Sequence, residues 1–134
     1  MTLVDASVLL DVIEGEPGWY DWSEQQLVDA RDRGPLFINA VVYAEIARDF
    51  TSQREVRDFL ADLVIELDAI DENMAFLAAR AHAQYRQAGG QRTATLPDFF
   101  IGAHASVRRL PLLTRDSRRL RTYFPDVTIL CPEA

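Results

Sequence analysis

Short apolar runs and longer stretches of helical periodicity alternate along this chain. Leu3 and Val4 form an apolar patch closed by Asp5, which predicts a short buried strand over 2–5. Residues 7–13 supply one or two helical turns before Gly15, Pro17 and Gly18 interrupt them. Trp19, Trp22, Leu27 and Ala30 repeat at near-helical spacing up to Gly34 and Pro35. Leu36, Phe37 and Ile38 form a second strand, and Asn39 is a good N-cap for a helix reaching Phe50. Thr51 or Ser52 caps the next helix, which shows Val56, Phe59, Leu60, Leu63 and Val64 on one face. Apolar and acidic residues alternate over 65–70, as in a third strand. Asp71 opens a long helix that Gly89 and Gly90 stop, and a polar loop is expected over 91–95. Leu96, Pro97 and Asp98 start a helix with Phe100, Ile101, Ala103, His104, Ala105 and Val107 on its apolar side. A fourth strand is expected over 111–114, then a short arginine-rich helix, then a last strand over 127–130.

Short strands without a polar face, alternating with helices, predict an α/β fold. The expectation is a three-layer α/β/α sandwich on a mainly parallel sheet of four to five strands, with residues 1–134 as one domain. In such sheets the working crevice lies beyond the carboxyl ends of the strands. No repeat, low-complexity segment or linker interrupts the pattern. No apolar run approaches the roughly 20 residues of a membrane span, and the N-terminus is a poor signal peptide, so a cytoplasmic protein is expected.

Composition narrows the chemistry. The single cysteine, Cys131, excludes a disulfide framework and any cysteine-cluster metal site. Two histidines, His82 and His104, are too few for a histidine-rich centre and read as packed core or interface residues. All 14 basic residues are arginine, so mechanisms that need a lysine are excluded. Net charge is −7, but residues 1–75 carry −12 and residues 76–134 carry +5. That asymmetry matters because a polyanion feels the local field, not the total.

Carboxylates carry the remaining signal. Asp5 ends the first strand, Asp116 follows the fourth, and Asp98 opens a helix. Glu45 lies within the helix after the second strand and must reach the crevice from there. Asp98 and Asp116 also suit helix starts, and Glu45 alone reads as a solvated position. Asp5 is harder to explain away, because an unpaired carboxylate at the end of a buried strand costs several kcal/mol. Acids converging without histidine or cysteine suit a hard divalent cation and hydrolysis of a phosphate ester. Ser7 and Thr114 stand where a hydroxyl can orient a carboxylate, or simply cap a helix.

Four stretches in order complete the picture: Val4 to Leu10, Val42 to Ile46, Pro97 to Ala105, and Leu113 to Asp116. Together they resemble the four motifs of the PIN domain, most closely in VapC-type toxins of bacterial toxin–antitoxin pairs. The resemblance covers the whole chain. It implies a ribonuclease in which Asp5, Glu45, Asp98 and Asp116 surround Mg2+ or Mn2+, with Ser7 and Thr114 holding the cluster. It also implies a homodimer and inhibition by a VapB-like antitoxin. The substrate would be a structured RNA such as tRNA or rRNA, cut to leave 5′-phosphate and 3′-hydroxyl ends.

Arg108, Arg109, Arg115, Arg118, Arg119 and Arg121 surround the fourth strand as RNA handles, and Arg80, Arg86 and Arg92 extend the patch; of these, Arg80, Arg86, Arg115, Arg118 and Arg119 are the candidate RNA contacts. Trp19, Tyr20 and Trp22 crowd one helix start, so an exposed aromatic is expected there. Partner surface is expected around residues 19–27 and 56–64. Two other classes stay open. One is a metal phosphohydrolase acting on a small phosphate ester. The other is a non-catalytic PIN-like binding module.

Overall fold

A computed structural model describes residues 1–89 and 96–132; the polar loop expected over 91–95 and Arg92 lie outside them. The described residues form five strands and seven helices. They are β1 (Thr2–Val4), α1 (Ala6–Glu14), α2 (Tyr20–Arg33), β2 (Leu36–Ile38), α3 (Ala40–Ala47) and α4 (Gln53–Asp62). β3 (Ile65–Leu67), α5 (Glu72–Gln87), α6 (Leu96–Arg108), β4 (Leu112–Leu113), α7 (Arg118–Tyr123) and β5 (Ile129–Leu130) follow. The strands form one parallel sheet in the order β3-β2-β1-β4-β5. Helices cover both faces, giving the three-layer sandwich expected from the sequence. No described helix is long and apolar enough to cross a membrane.

Sequence explains most boundaries. Asn39 accepts from the Val42 N–H, Ser52 from Glu55 and Asp71 from Met74, so three helices start on side-chain caps. Gly15 closes α1 at φ 63°, where its N–H reaches the Asp11 carbonyl. The third strand is shorter than expected. It ends at Leu67, and Asp68 turns its side chain away to His104 and Arg108. β3 is an edge strand, which also leaves Leu67 exposed.

The order of the strands places the site. β1 is central, the chain steps outward from it through β2 to β3, and then crosses back to β4 on its other side. The direction of winding therefore reverses between β1 and β4, and a crevice opens at their carboxyl ends. Leu3, Val4, Leu112 and Leu113 are fully buried in those two strands. A second apolar cluster sits under the crevice, where α5, α6 and α7 meet around Phe99. The Phe99 ring contacts Tyr85, Tyr123 and Phe124 at centroid separations of 5.4, 5.7 and 6.2 Å.

Candidate active site

Asp5 is the first residue after β1, and its N–H is held by the Leu113 carbonyl of β4 at 2.9 Å. It occupies the N-cap position of α1 without capping that helix. Its Oδ2 instead accepts from Ser7 Oγ at 2.8 Å and from Thr114 Oγ1 at 2.7 Å. Each hydroxyl is held in turn by the turn after β4. The Arg115 N–H donates to Ser7 Oγ at 3.2 Å, and the Asp116 N–H donates to Thr114 Oγ1 at 3.1 Å. Two hydroxyls thus convert backbone donors of one strand end into the orientation of a carboxylate on the next. Their role is positional, and neither Ser7 nor Thr114 caps a helix.

Asp5, Asp98, Asp116 and Arg119 line one cleft of about 40 Å³, closed on its apolar side by Phe99, Leu120 and Phe124. Asp98 comes from the first turn of α6. Asp116 lies in the turn before α7 rather than in a helix, because α7 starts two residues later. Glu45 reaches toward the same place from α3, close enough that Asp5 and Asp98 both act on its charge. Acids from three separated stretches of chain therefore line one cleft, and Glu45 from a fourth stands within electrostatic reach of two of them.

The electrostatics are unfavourable without a cation. Burial raises the Asp5 carboxyl above its ordinary range, outweighing the hydroxyls of Thr114 and Ser7 that favour its ionised form. Glu45 is pushed up to about 7, first by burial and then by the charges of Asp5 and Asp98. Its Oε1 is buried with no hydrogen-bond partner. Arg48 does not answer this need, because its Nε turns to the Glu45 backbone carbonyl at 3.4 Å. A buried carboxylate oxygen without a donor is what a hard cation or its water would satisfy. The donor set, oxygen alone, fits magnesium or manganese. Among the described residues no three acid, histidine or cysteine side chains are grouped closely enough to hold a metal ion as they stand. The acids stand around the cleft, and a guanidinium stands among them. Arg119 Nη1 lies 3.9 Å from Asp98 and its Nη2 3.7 Å from Asp116.

The other arginines divide. Arg115, expected on RNA, points away from the cleft. Its Nε lies 2.9 Å from the buried Asp11, which also accepts from Ser23 at 2.6 Å, and its guanidinium covers the Trp19 ring. The pair is close but poorly aligned for a hydrogen bond, so its strength is coulombic. Arg80 lies over the exposed Phe76 ring. Arg86 and Arg118 are exposed, and Arg86 follows Tyr85, whose ring packs beside Asp98's neighbour Phe99. Arg108 pairs with Asp68, and Arg121 contacts Cys131. Asp11 was missed in the sequence, although an acid inside Leu9 to Ile13 carries the same signal as Asp5. Trp19 and Trp22 pack edge-to-face and are half-buried, which leaves Tyr20 as the exposed aromatic.

His104 is a structural bridge. Asn39 Oδ1 is committed to the Val42 N–H, so its amide Nδ2 donates to His104 Nδ1 at 3.2 Å. That fixes the neutral tautomer in which His104 Nε2 donates to Asp68 at 2.7 Å. The chain of bonds ties α6, which carries Asp98, to the start of α3, which carries Glu45. His82 packs against Phe99.

Comparison with known proteins agrees with this geometry. The PIN domain profile matches residues 2–125. The chain belongs to the PIN domain family. Among solved structures it resembles VapBC2 from Rickettsia felis bound to a DNA fragment from their promoter, with a TM-score of 0.73 at 15% identity over 97% of both chains. It also resembles a toxin–antitoxin complex from Klebsiella pneumoniae, with a TM-score of 0.67 at 22% identity over 96% of both chains. DNA-bound VapBC from Salmonella typhimurium gives 0.70 at 16% identity over 97% of this chain and 96% of that one. A comparison with curated protein sequences finds no match. At these identities the structural likenesses establish the PIN fold, and the cleft at the end of β1 is where this PIN domain gathers its acids.

Proposed function

We propose that this PIN domain is a divalent-cation-dependent endoribonuclease acting as the toxin of a toxin–antitoxin pair. The observation that carries the proposal is the cleft itself. Three acids line it, and a fourth, Glu45, whose Oε1 is buried and unpartnered, stands within electrostatic reach of two of them. So much negative charge is costly to a fold unless a cation completes it. Mg2+ or Mn2+ bound there would supply Lewis-acid stabilisation and a water of lowered pKa.

The residues divide the work. Asp5, Asp98 and Asp116 would hold the cation directly, and Glu45 would do so through water or at a second ion. Ser7 and Thr114 fix the Asp5 carboxylate so that one oxygen is committed to them. The apolar wall of Phe99, Leu120 and Phe124 keeps one side of the cleft dry. Exposed arginines, Arg86 and Arg118 among them, would hold the RNA backbone by phosphate contacts. Attack by water on phosphorus, with departure of the 3′ oxygen, leaves 5′-phosphate and 3′-hydroxyl ends. The structural relatives include toxin–antitoxin complexes, which supports a small antitoxin as the partner of this chain. Val28, Val64 and Leu67 are exposed apolar side chains on which an antitoxin or a second copy could pack.

The test is cleavage of total RNA and defined tRNAs by antitoxin-free protein in EDTA, Mg2+ or Mn2+, beside Asp98→Asn. Expected is cleavage that needs the cation and falls at least about a hundredfold in the variant. Products ending in 2′,3′-cyclic phosphate would overturn the mechanism, since they mark attack by the ribose hydroxyl. No cleavage together with no cation binding would leave a binding module.

A further inference from the structure

Among the described residues, Arg119 is the one arginine that lines the acid cleft. It rides on α7, which Leu120 and Phe124 hold against α6. Its two terminal nitrogens face one oxygen each of Asp98 and Asp116, at 3.9 and 3.7 Å. The same two carboxylates are those a divalent cation would use. A guanidinium and a divalent cation compete for them, because the two positive charges repel each other across a few ångströms. We propose that Arg119 is a resident counter-ion that exchanges with the divalent cation and, once displaced, takes a phosphate of the RNA. The inference rests on the nuclease reading above.

Three features support the exchange. The contacts are longer than a charge-assisted hydrogen bond, so no bidentate pair has to be broken. The groups are open to solvent, with side-chain exposures of 31% for Arg119, 46% for Asp98 and 59% for Asp116. A pair screened to that degree shifts an equilibrium by about fivefold at most, so a cation can outcompete it. Finally, a planar donor fork at the rim of the cleft suits a phosphate oxygen pair as well as two carboxylates. Arg115 cannot serve this way, because Asp11 and Trp19 hold it on the far side of the turn.

Calorimetric titration with Mn2+ tests the first half, using the intact chain, Arg119→Ala and Asp98→Asn. Arg119→Ala should bind Mn2+ tighter, on the order of three- to fivefold, and the gain should shrink as salt rises. Equal or weaker binding by a folded Arg119→Ala would overturn the exchange. Fluorescence anisotropy with a short RNA tests the second half. Ca2+ in place of Mn2+ should tighten RNA binding of the intact chain relative to EDTA, and should do so less for Arg119→Ala. An equal gain in both would overturn the phosphate role. Failure of the nuclease reading looks different: Mn2+ would bind neither the intact chain nor Arg119→Ala, and Asp98→Asn would match them. Arg119→Gln, which keeps the aliphatic stem of the side chain but not its charge, separates loss of charge from loss of packing, and thermal melts of each variant establish that it is folded.

Discussion

Glu45 shows how far a single position departs from its ordinary chemistry when a fold brings acids together. Its ordinary value is 4.5, and the folded protein raises it to about 7. Between those values the folded state keeps a proton that the unfolded chain has released. The folded state therefore binds more protons, and the contribution of Glu45 to stability is complete below pH 4.5 and lost as pH rises through 7. Asp5 acts in the same direction. The group is partly open to solvent, so the loss is screened. In EDTA, Glu45→Gln should melt higher than the parent at pH 7.5 and about equally at pH 4.5, with Mn2+ stabilising the parent more at the higher pH. Parallel melting curves across that range would show that Glu45 does not bear the strain. Asp5, Asp98 and Asp116 were legible in the sequence because each stands where an apolar stretch meets a turn or a helix start. Glu45 was less legible by that logic, since an acid inside a helix carries no burial signal; it was named as an acid that must reach the crevice from its helix, but alone it reads as a solvated position. Arg119 was hidden among equivalent arginines, because Asp98 lies far from it in sequence.

At the scale of elements, α7 is the weak part of the site. It has six residues, none of them fully buried, and so short a helix does not persist alone. Its support is Phe124 and Leu120 packed against Gly102 of α6. A Cβ at Gly102 would meet the Phe124 ring at 2.3 and 2.4 Å and Leu120 Cδ2 at 3.0 Å. Gly102→Ala must therefore push the ring away, at a cost of about 1–3 kcal/mol in stability. Arg119 and Asp116 ride on the same segment, so the cleft should open with it. Urea unfolding would measure the first effect and Mn2+ affinity the second; an unchanged denaturation midpoint would show that α7 shifts freely. Periodicity located the helices well, and their caps at Asn39, Ser52 and Asp71 were readable from residue type. The strands are shorter than their apolar runs. The run over 65–70 gives only Ile65–Leu67, and the run over 127–130 gives only Ile129–Leu130. Both are edge strands, where extended chain has a ladder on one side only.

The whole molecule joins a sheet order that no local pattern encodes to a charge division that is plain in the sequence. Nothing in the apolar runs says that β4 pairs with β1 rather than with β3, yet the crevice exists because it does. Long-range pairing decides that order, and a single sequence shows only that parallel strands are present. On the nuclease reading, the charge division, −12 over residues 1–75 and +5 over 76–134, would decide how RNA approaches. A net charge of −7 repels a polyanion, so binding must come from local arginine contacts that release counterions. The proposed contacts are the exposed Arg86 and Arg118 and the cleft's Arg119, whereas Arg115 is committed to Asp11 and Trp19 and Arg121 contacts Cys131. For a single strand each phosphate contact adds about 0.7 to the slope of log affinity against log salt, so three or four contacts give roughly 2 to 3. In EDTA, where no cleavage is expected, Arg118→Ala should reduce that slope by about 0.7. Arg115→Ala should leave the slope unchanged and lower stability instead, by about 3 kcal/mol or more, because it strands the buried Asp11 carboxylate. Equal loss of slope in both variants would mean that Arg115 leaves Asp11 to meet the RNA, and that the ion pair across the turn belongs only to the free protein.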